Sequence, residues 1–127
     1  MKSRTVNCEY YRTKADGEFM PQFRGQPCAI CGKTHATCGH HLIGKGRSKA
    51  LRYDINNILV LCQEHHTFGM EMAPHSTNHM AVSRFHDWFK ENKPDQYVWI
   101  EMHEHIQRKY SYKSAWENMK EGREAWI

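Results

Sequence analysis

The sequence predicts a small α+β protein whose apolar core is supplemented by bound metal. At 127 residues the chain has about the length of one domain, so we expect a single domain over residues 1–127. A hydrophobic content of 39% and a mean hydropathy of -0.84 leave only a modest core. Cysteines and histidines at metal-ligand spacing, and two strand-like runs followed by helical periodicity, indicate how that core is completed.

Residues 1–27 are polar and contain the turn signals "ADGEF" and "RGQP", so we expect an irregular or partly extended entry segment there. The turn-rich stretch "CAICGKTHATCG" follows. Next, "HHLIG" and "NNILVLC" are short apolar runs of strand character, separated by the glycine- and lysine-rich "KGRSKALRYDI". Together they predict a β-hairpin with a long loop.

The remaining chain is predicted to be mainly helical. "QEHHTFGMEM" is typical of a short helix that ends near Gly69 or before Pro74. "MAVSRFHDWFKENKP" predicts a longer helix that Pro94 ends, with one apolar face. That face consists of Val82, Phe85, Trp88 and Phe89.

Two further elements follow this helix. "QYVWIEM" is predicted to be a strand. "SYKSAWENMKEGREAW" predicts a terminal helix in which Tyr112, Trp116 and Met119 share a face and Gly122 weakens the last turns.

Two half-sites have the spacing of zinc ligands. Cys28 and Cys31 form a C-x-x-C pair, and Cys62 and His65 form a C-x-x-H pair after 30 intervening residues. Together they supply the four ligands of a closed tetrahedral zinc site, whose binding free energy contributes to folding. The alternatives are buried unligated thiols or, less consistent with an odd count of five cysteines, a disulfide pair.

Two cysteines lie outside these half-sites. Cys38 is either a small buried apolar residue of the first strand or a substitute metal ligand. Cys8 has no partner at metal-ligand spacing.

Two adjacent histidine pairs flank the hairpin. On a helix, His66 diverges from His65 by about 100°, so both cannot easily serve one ion. On a strand, His40 and His41 face opposite sides or, if the strand is bent, the two straddle an edge. The hairpin and helix can therefore bring one histidine from each pair to a second metal, while another histidine reaches a substrate.

These residues resemble the HNH, or ββα-metal, endonucleases, and within them the phage NinG-like recombination endonucleases. The resemblance covers residues 28–66: the C-x-x-C pair, a histidine dipeptide opening an apolar run, Asn57 five residues before Cys62, and a terminal zinc ligand followed by His66. It implies a small zinc-stabilised ββα-metal (HNH/His-Me finger) core over residues 28–70. Residues 1–27 would be an N-terminal extension, and residues 71–127 would add C-terminal helices.

The resemblance also implies roles for the site residues. His41 would be the general base, His40 and His66 would hold one divalent ion, and Asn57 would brace the loop, orient the base or touch the metal. Asn56 is a competing choice for the asparagine. His40 stands where many members have Asp, which leaves Mg²⁺, Mn²⁺, Ni²⁺ and Zn²⁺ open as the catalytic ion.

The distribution of charge along the chain favours a nucleic-acid partner. The net charge is +4, and residues 1–53 hold ten Lys/Arg against three Asp/Glu. In the hairpin loop, four of these could contact DNA phosphates: Lys45, Arg47, Lys49 and Arg52.

We expect no membrane association, because no apolar run approaches the roughly 18 residues needed to span a bilayer and the opening residues lack a signal-peptide pattern.

The resulting hypothesis is a metal-dependent DNA endonuclease in a bacterial or phage-infected host cytoplasm. The NinG-like resemblance implies branched recombination intermediates as its DNA. One alternative is a noncatalytic zinc-finger-like DNA-binding module, which gives no reason for His41 or Asn57. The other is a small zinc-stabilised interaction protein, which an absence of salt-dependent DNA binding would favour.

Overall fold

The computed structural model describes residues 5–127. Its two strands are β1 (Thr37–His41) and β2 (Ile58–Cys62), and its four α-helices are α1 (Glu9–Phe19), α2 (His79–Asn92), α3 (Pro94–His103) and α4 (Tyr112–Lys120). Short 3₁₀ turns cover Met20–Phe23 and Ile55–Asn57, and a π-helical turn covers Glu64–Phe68. The α+β class is therefore confirmed.

The two strands form an antiparallel ribbon, as predicted; β2 lies within "NNILVLC", but β1 begins before "HHLIG" and ends at His41. The register pairs Thr37 with Cys62 and His41 with Ile58. Because side chains alternate along a strand, each face of the ribbon packs against a different part of the chain. We call these the metal face, which carries Cys38, His40, Leu59 and Leu61, and the opposite face, which carries Gly39, His41, Ile58 and Val60.

Helix α2 covers the metal face. Phe85 and Phe89 are buried against Leu59 and Leu61 in one apolar cluster. The side chain of Asn78 caps the helix by accepting from the backbone N–H of Met80 at 2.9 Å. As predicted, the helix ends before Pro94, at Asn92. Pro94 then begins α3, since proline is well tolerated in the first turn of a helix.

The opposite face packs against α1, α4 and the 3₁₀ turn between residues 20 and 23. Phe19, Phe23, Tyr53 and Ile58 are buried together there. The expectation of an irregular or extended segment over residues 1–27 is therefore wrong for residues 9–23; residues 1–4 lie outside the described chain. Helix α1 buries only Ala15 and Phe19, so its pattern carries little amphipathic signal and tertiary packing stabilises it.

The strand expected at "QYVWIEM" is also wrong, because these residues form α3. Ile100 of α3 is buried with Ile43 and Leu51 of the hairpin loop. The terminal helix is confirmed: Ser111 and Ser114 form a reciprocal capping box at its start, and Gly122, with φ +78°, follows its end. Within residues 5–127 no helix has the length and apolar character required to cross a membrane.

Candidate metal centres and active site

The two half-sites predicted from sequence spacing meet in space. We call Cys28, Cys31, Cys62 and His65 the four-ligand cluster; their ligand atoms all lie within 4.8 Å of one another. Cys31 Sγ and Cys62 Sγ are 3.7 Å apart, and His65 Nδ1 is 3.3 Å from Cys62 Sγ and 3.9 Å from Cys28 Sγ. Tetrahedral zinc with ordinary bond lengths separates such atoms by about 3.3–3.8 Å, so the cluster fits a zinc ion.

Backbone hydrogen bonds favour the thiolate form of Cys28 in the four-ligand cluster. Burial acts to raise the pKa of Cys28, but backbone N–H groups, first that of Cys31, outweigh it and lower the pKa. Burial and the neighbouring thiols raise the pKa of Cys62. A bound cation would be needed to hold three thiols this close in the thiolate form, since thiolates repel one another.

Three histidines form a second group, which we call the histidine cluster: His40, His66 and His75. His40 Nδ1 lies 3.1 Å from His66 Nε2, and all three ligand atoms lie within 4.8 Å of one another. His40 is buried, His66 is half-buried and His75 is exposed, so the cluster opens to solvent on the side of His75. The neighbours His65 and His66 serve different clusters, as their divergence on a helix predicts.

Each histidine of this cluster comes from a different element. His40 lies on β1, His66 lies in the π-helical turn, and His75 follows Pro74 in the connection to α2. The backbone N–H of His75 donates to the carbonyl oxygen of His66 at 3.0 Å, which holds the connection against the turn. Sequence reasoning missed His75, because a ligand on a connecting segment has no fixed spacing from the motif; only its position after a proline distinguishes it.

Burial and neighbouring imidazoles keep His40 and His66 neutral. Burial, followed by the proximity of His66 and His75, lowers the pKa of His40 to about 3. Burial and then His75 lower the pKa of His66 to about 4. Both rings therefore retain a lone pair at neutral pH, and a neutral imidazole is the form that binds a metal.

His41 points to the opposite face of the ribbon from His40. Its Nε2 lies 2.8 Å from the carbonyl oxygen of Arg52. A carbonyl can only accept, so Nε2–H donates and the lone pair is on Nδ1. Burial lowers the pKa of His41, although the bond to Arg52 opposes this. The half-buried ring therefore has a fixed tautomer and a basic nitrogen at neutral pH.

Asn57 holds the hairpin loop in place. Its side chain is fully buried; Oδ1 accepts from the N–H of Ile43 at 2.8 Å, and Nδ2 donates to the carbonyls of Ile43 and Leu51 at 3.0 and 3.1 Å. These bonds join both ends of the loop that carries Arg52. Asn56 is exposed and bonds to Asp54, so the structure assigns the bracing contact to Asn57.

The four basic loop residues are not equivalent. Lys45 and Arg47 are exposed, and Lys49 is half-buried, with Nζ donating to Asn7 at 3.0 Å. Arg52 is 8% exposed, and its guanidinium donates to both carboxylate oxygens of Asp16 at 2.9 and 2.7 Å. The expectation that Arg52 contacts a phosphate is therefore wrong. Its side chain is paired with Asp16 inside the protein, and its backbone carbonyl accepts a hydrogen bond from His41.

The two unassigned cysteines also have defined positions. Cys38 is half-buried on β1, and its Sγ lies 3.7 Å from His66 Nδ1, so it neighbours the histidine cluster. Burial raises its pKa. Cys8 precedes α1, and within residues 5–127 it belongs to neither metal-ligand cluster.

No family model matches the chain, and neither a curated protein sequence nor a solved structure matches it. The HNH resemblance therefore stays a prediction from the motif residues. The function has to be argued from the geometry of the two clusters, His41 and Asn57.

Proposed function

We propose that the protein is a metal-dependent endonuclease of the HNH type that hydrolyses DNA phosphodiester bonds. The observation that carries this proposal is His41: this histidine has a fixed tautomer and adjoins, along β1, His40 of the solvent-open histidine cluster. An antiparallel hairpin followed by a helical turn, with a four-ligand cluster at its base, is consistent with a ββα-metal core. A noncatalytic zinc-binding module would need only the four-ligand cluster.

In the proposed reaction, water attacks phosphorus while His41 Nδ1 accepts its proton. The 3′ oxygen leaves and takes up a proton from solvent. The carbonyl of Arg52 stabilises the imidazolium that forms, since it accepts from Nε2–H in both protonation states. Asp16 fixes the Arg52 side chain and Asn57 fixes the loop, so both position the base.

The histidine cluster would hold the catalytic ion and the four-ligand cluster the structural zinc. A divalent ion at His40, His66 and His75 would neutralise charge that develops on the phosphate oxygens. Three imidazoles favour zinc, nickel or another transition metal over Mg²⁺, which prefers oxygen ligands. The proposal therefore predicts that zinc, nickel or another transition metal supports activity better than Mg²⁺.

The direct test replaces His41 with alanine. We expect nicking of supercoiled plasmid to fall by at least about a hundredfold, because a positioned base contributes roughly that much to the rate. Zinc content, helical circular dichroism and DNA affinity should stay close to those of the wild type, since His41 makes one hydrogen bond and binds neither metal.

Two results would contradict the proposal. Cleavage at the wild-type rate by His41→Ala would exclude this base. A wild-type protein that binds DNA but cuts no substrate in a panel of linear, forked and four-way DNA, with Zn²⁺, Ni²⁺, Mn²⁺ or Mg²⁺ added, would favour the noncatalytic module.

A further inference from the structure

Two loops that are far apart in sequence enclose a groove beside the hairpin. One wall is residues 47–50 of the hairpin loop, and the other is residues 104–109, between α3 and α4. The cavity between them has a volume of about 440 Å³. Sequence reasoning assigned basic contacts only to the first wall.

The charge of the groove is strongly one-sided. Its lining has a single acidic residue, Glu104. The Oε1 atom of Glu104 lies 3.2 Å from Nε2 of the neighbouring His105. Against it stand four cationic side chains from both walls: Arg47, Lys49, Arg108 and Lys109. Such a surface favours a polyanion.

The four cations divide into two pairs. Arg108 donates to Asp54 at 2.8 Å, and Lys49 covers the rings of Tyr110 and Tyr112, so these two are engaged with the protein. Arg47 and Lys109 are exposed, one on each wall. They are the groups positioned to contact a ligand.

The second wall is fastened to the first. Arg108 donates to the carbonyl of Ala50 at 3.1 Å, and the hydroxyl of Tyr110 donates to the carbonyl of Lys49. The two exposed cations are therefore presented by loops joined to each other, which lowers the entropic cost of binding.

We propose that this groove binds the sugar–phosphate backbone of a DNA strand, with Arg47 and Lys109 contacting its phosphates. The choice of DNA rests on the proposed function. The choice of backbone over bases rests on the groove itself, since the described residues that line it include no Phe, Tyr or Trp on which a base could stack. The loop that forms one wall also carries the Arg52 carbonyl that holds His41, which connects the groove to the proposed base.

The test measures DNA binding without cleavage. The full chain, zinc-loaded and carrying His41→Ala, is titrated against a short labelled duplex by fluorescence anisotropy at several salt concentrations. The test variant adds Arg47→Ala and Lys109→Ala. The matched control adds Lys90→Ala and Lys93→Ala, which remove the same charge near the end of α2.

We expect the groove variant to lose affinity by on the order of tenfold per contact near 0.1 M salt, and the slope of log K against log salt to flatten by about 1.8. The control should keep the parent affinity and slope. Melting temperature and zinc content should be unchanged in the groove variant, since Arg47 and Lys109 are exposed.

An affinity and slope equal to the parent in the groove variant would overturn the proposal, and so would an equal loss in the control. Displacement of DNA by polyglutamate at an equal charge concentration would also overturn it, because the groove would then be a general site for acidic polymers. If the wild type binds DNA through this groove but never cleaves it, the proposed function fails alone. If the wild type cleaves and the groove variant binds normally, the groove fails alone.

Discussion

The two faces of the β1–β2 ribbon are stabilised in different ways. The metal face has Leu59 and Leu61 packed on α2, and both metal-ligand clusters adjoin it. The opposite face has a larger aromatic cluster with Phe19, Phe23 and Tyr53, reinforced by the ion pair between Arg52 and Asp16. One side carries the groups that could hold a metal ion, and the other is held by aromatic packing and this ion pair.

The two faces therefore have different proposed roles: one carries the histidine cluster, and the other carries the packed loop that holds His41. His40 points to the metal face and His41 to the opposite face, so adjacent residues of one strand connect the histidine cluster to the packed loop that holds the base. Changes on the metal face should alter metal content and activity. Changes on the opposite face should alter the free energy of unfolding and leave metal content intact.

The largest expected effect is loss of a four-ligand-cluster residue. His65→Ala should release zinc and lower the melting temperature severely, because a structural zinc contributes about 10–16 kcal/mol of apparent binding free energy in zinc-finger peptides. His66→Ala is the adjacent control: it should keep the zinc and the melting temperature while activity falls by orders of magnitude. His75→Ala should weaken the exchangeable ion at least about tenfold and leave the zinc in place.

Metal analysis by mass spectrometry, a melting curve and a nicking assay on the three variants check this prediction together. If His66→Ala released the zinc and His65→Ala retained it, the assignment of the two clusters would be reversed. Equal zinc loss in all three would mean that the clusters are not independent.

A smaller effect is expected on the opposite face, from Gly39→Ala. A Cβ at Gly39 would lie 2.8 Å from Ile58 Cγ2 and 2.9 Å from Phe23 Cδ2, closer than carbon atoms pack. Overpacking of this kind costs about 1–3 kcal/mol, so chemical denaturation should show a lower free energy of unfolding with unchanged zinc content.

The control for Gly39→Ala is Gly17→Ala in α1, where nothing lies within 4 Å of the added Cβ. That change should be neutral or stabilise by up to about 1 kcal/mol through helix propensity. Zinc loss in Gly39→Ala would show that the two faces are coupled.

The metal face was also the more predictable one. Fixed spacings, C-x-x-C and C-x-x-H, specified the four-ligand cluster, and the apolar run "NNILVLC" specified β2, whereas β1 lies mostly before "HHLIG". His75 could not be found this way, because a loop ligand is placed by the fold and not by local periodicity. The correction of Arg52 has the same origin: an arginine at the end of a glycine- and lysine-rich loop is expected to be exposed, and only tertiary structure brings Asp16 to it.

The opposite face was poorly predicted for a related reason. Helix α1 contains Asp16 and Gly17, has little apolar periodicity, and is stabilised by contact with α4, about one hundred residues away in sequence. The mistaken strand at α3 shows the reverse problem: Tyr97, Val98 and Trp99 have β-propensity, but Pro94 starts a helix that tertiary packing stabilises.

The last effect we expect is similar in size to that of Gly39→Ala and comes from Asp16→Asn, which tests how the opposite face responds to pH. Burial acts to raise the pKa of Asp16, but the hydrogen bonds from Arg52 and Tyr53 outweigh it and lower the pKa below its usual value of 3.8. A carboxyl with a lowered folded-state pKa stabilises the protein above its unfolded-state pKa, and this contribution is lost as the pH falls through the folded value. The substitution should therefore cost about 1–3 kcal/mol at neutral pH, since it removes charged hydrogen bonds to a buried guanidinium.

The difference in free energy of unfolding between the wild type and Asp16→Asn should stay constant from pH 7 to about 5 and shrink below about pH 4. Taking the difference removes the acid release of zinc, which both proteins share. Glu18→Gln, an exposed acid of the same helix, should change stability by less than about 0.5 kcal/mol at any pH. A difference that grew as the pH fell would mean that Asp16 destabilises the fold and that packing alone holds Arg52 in place.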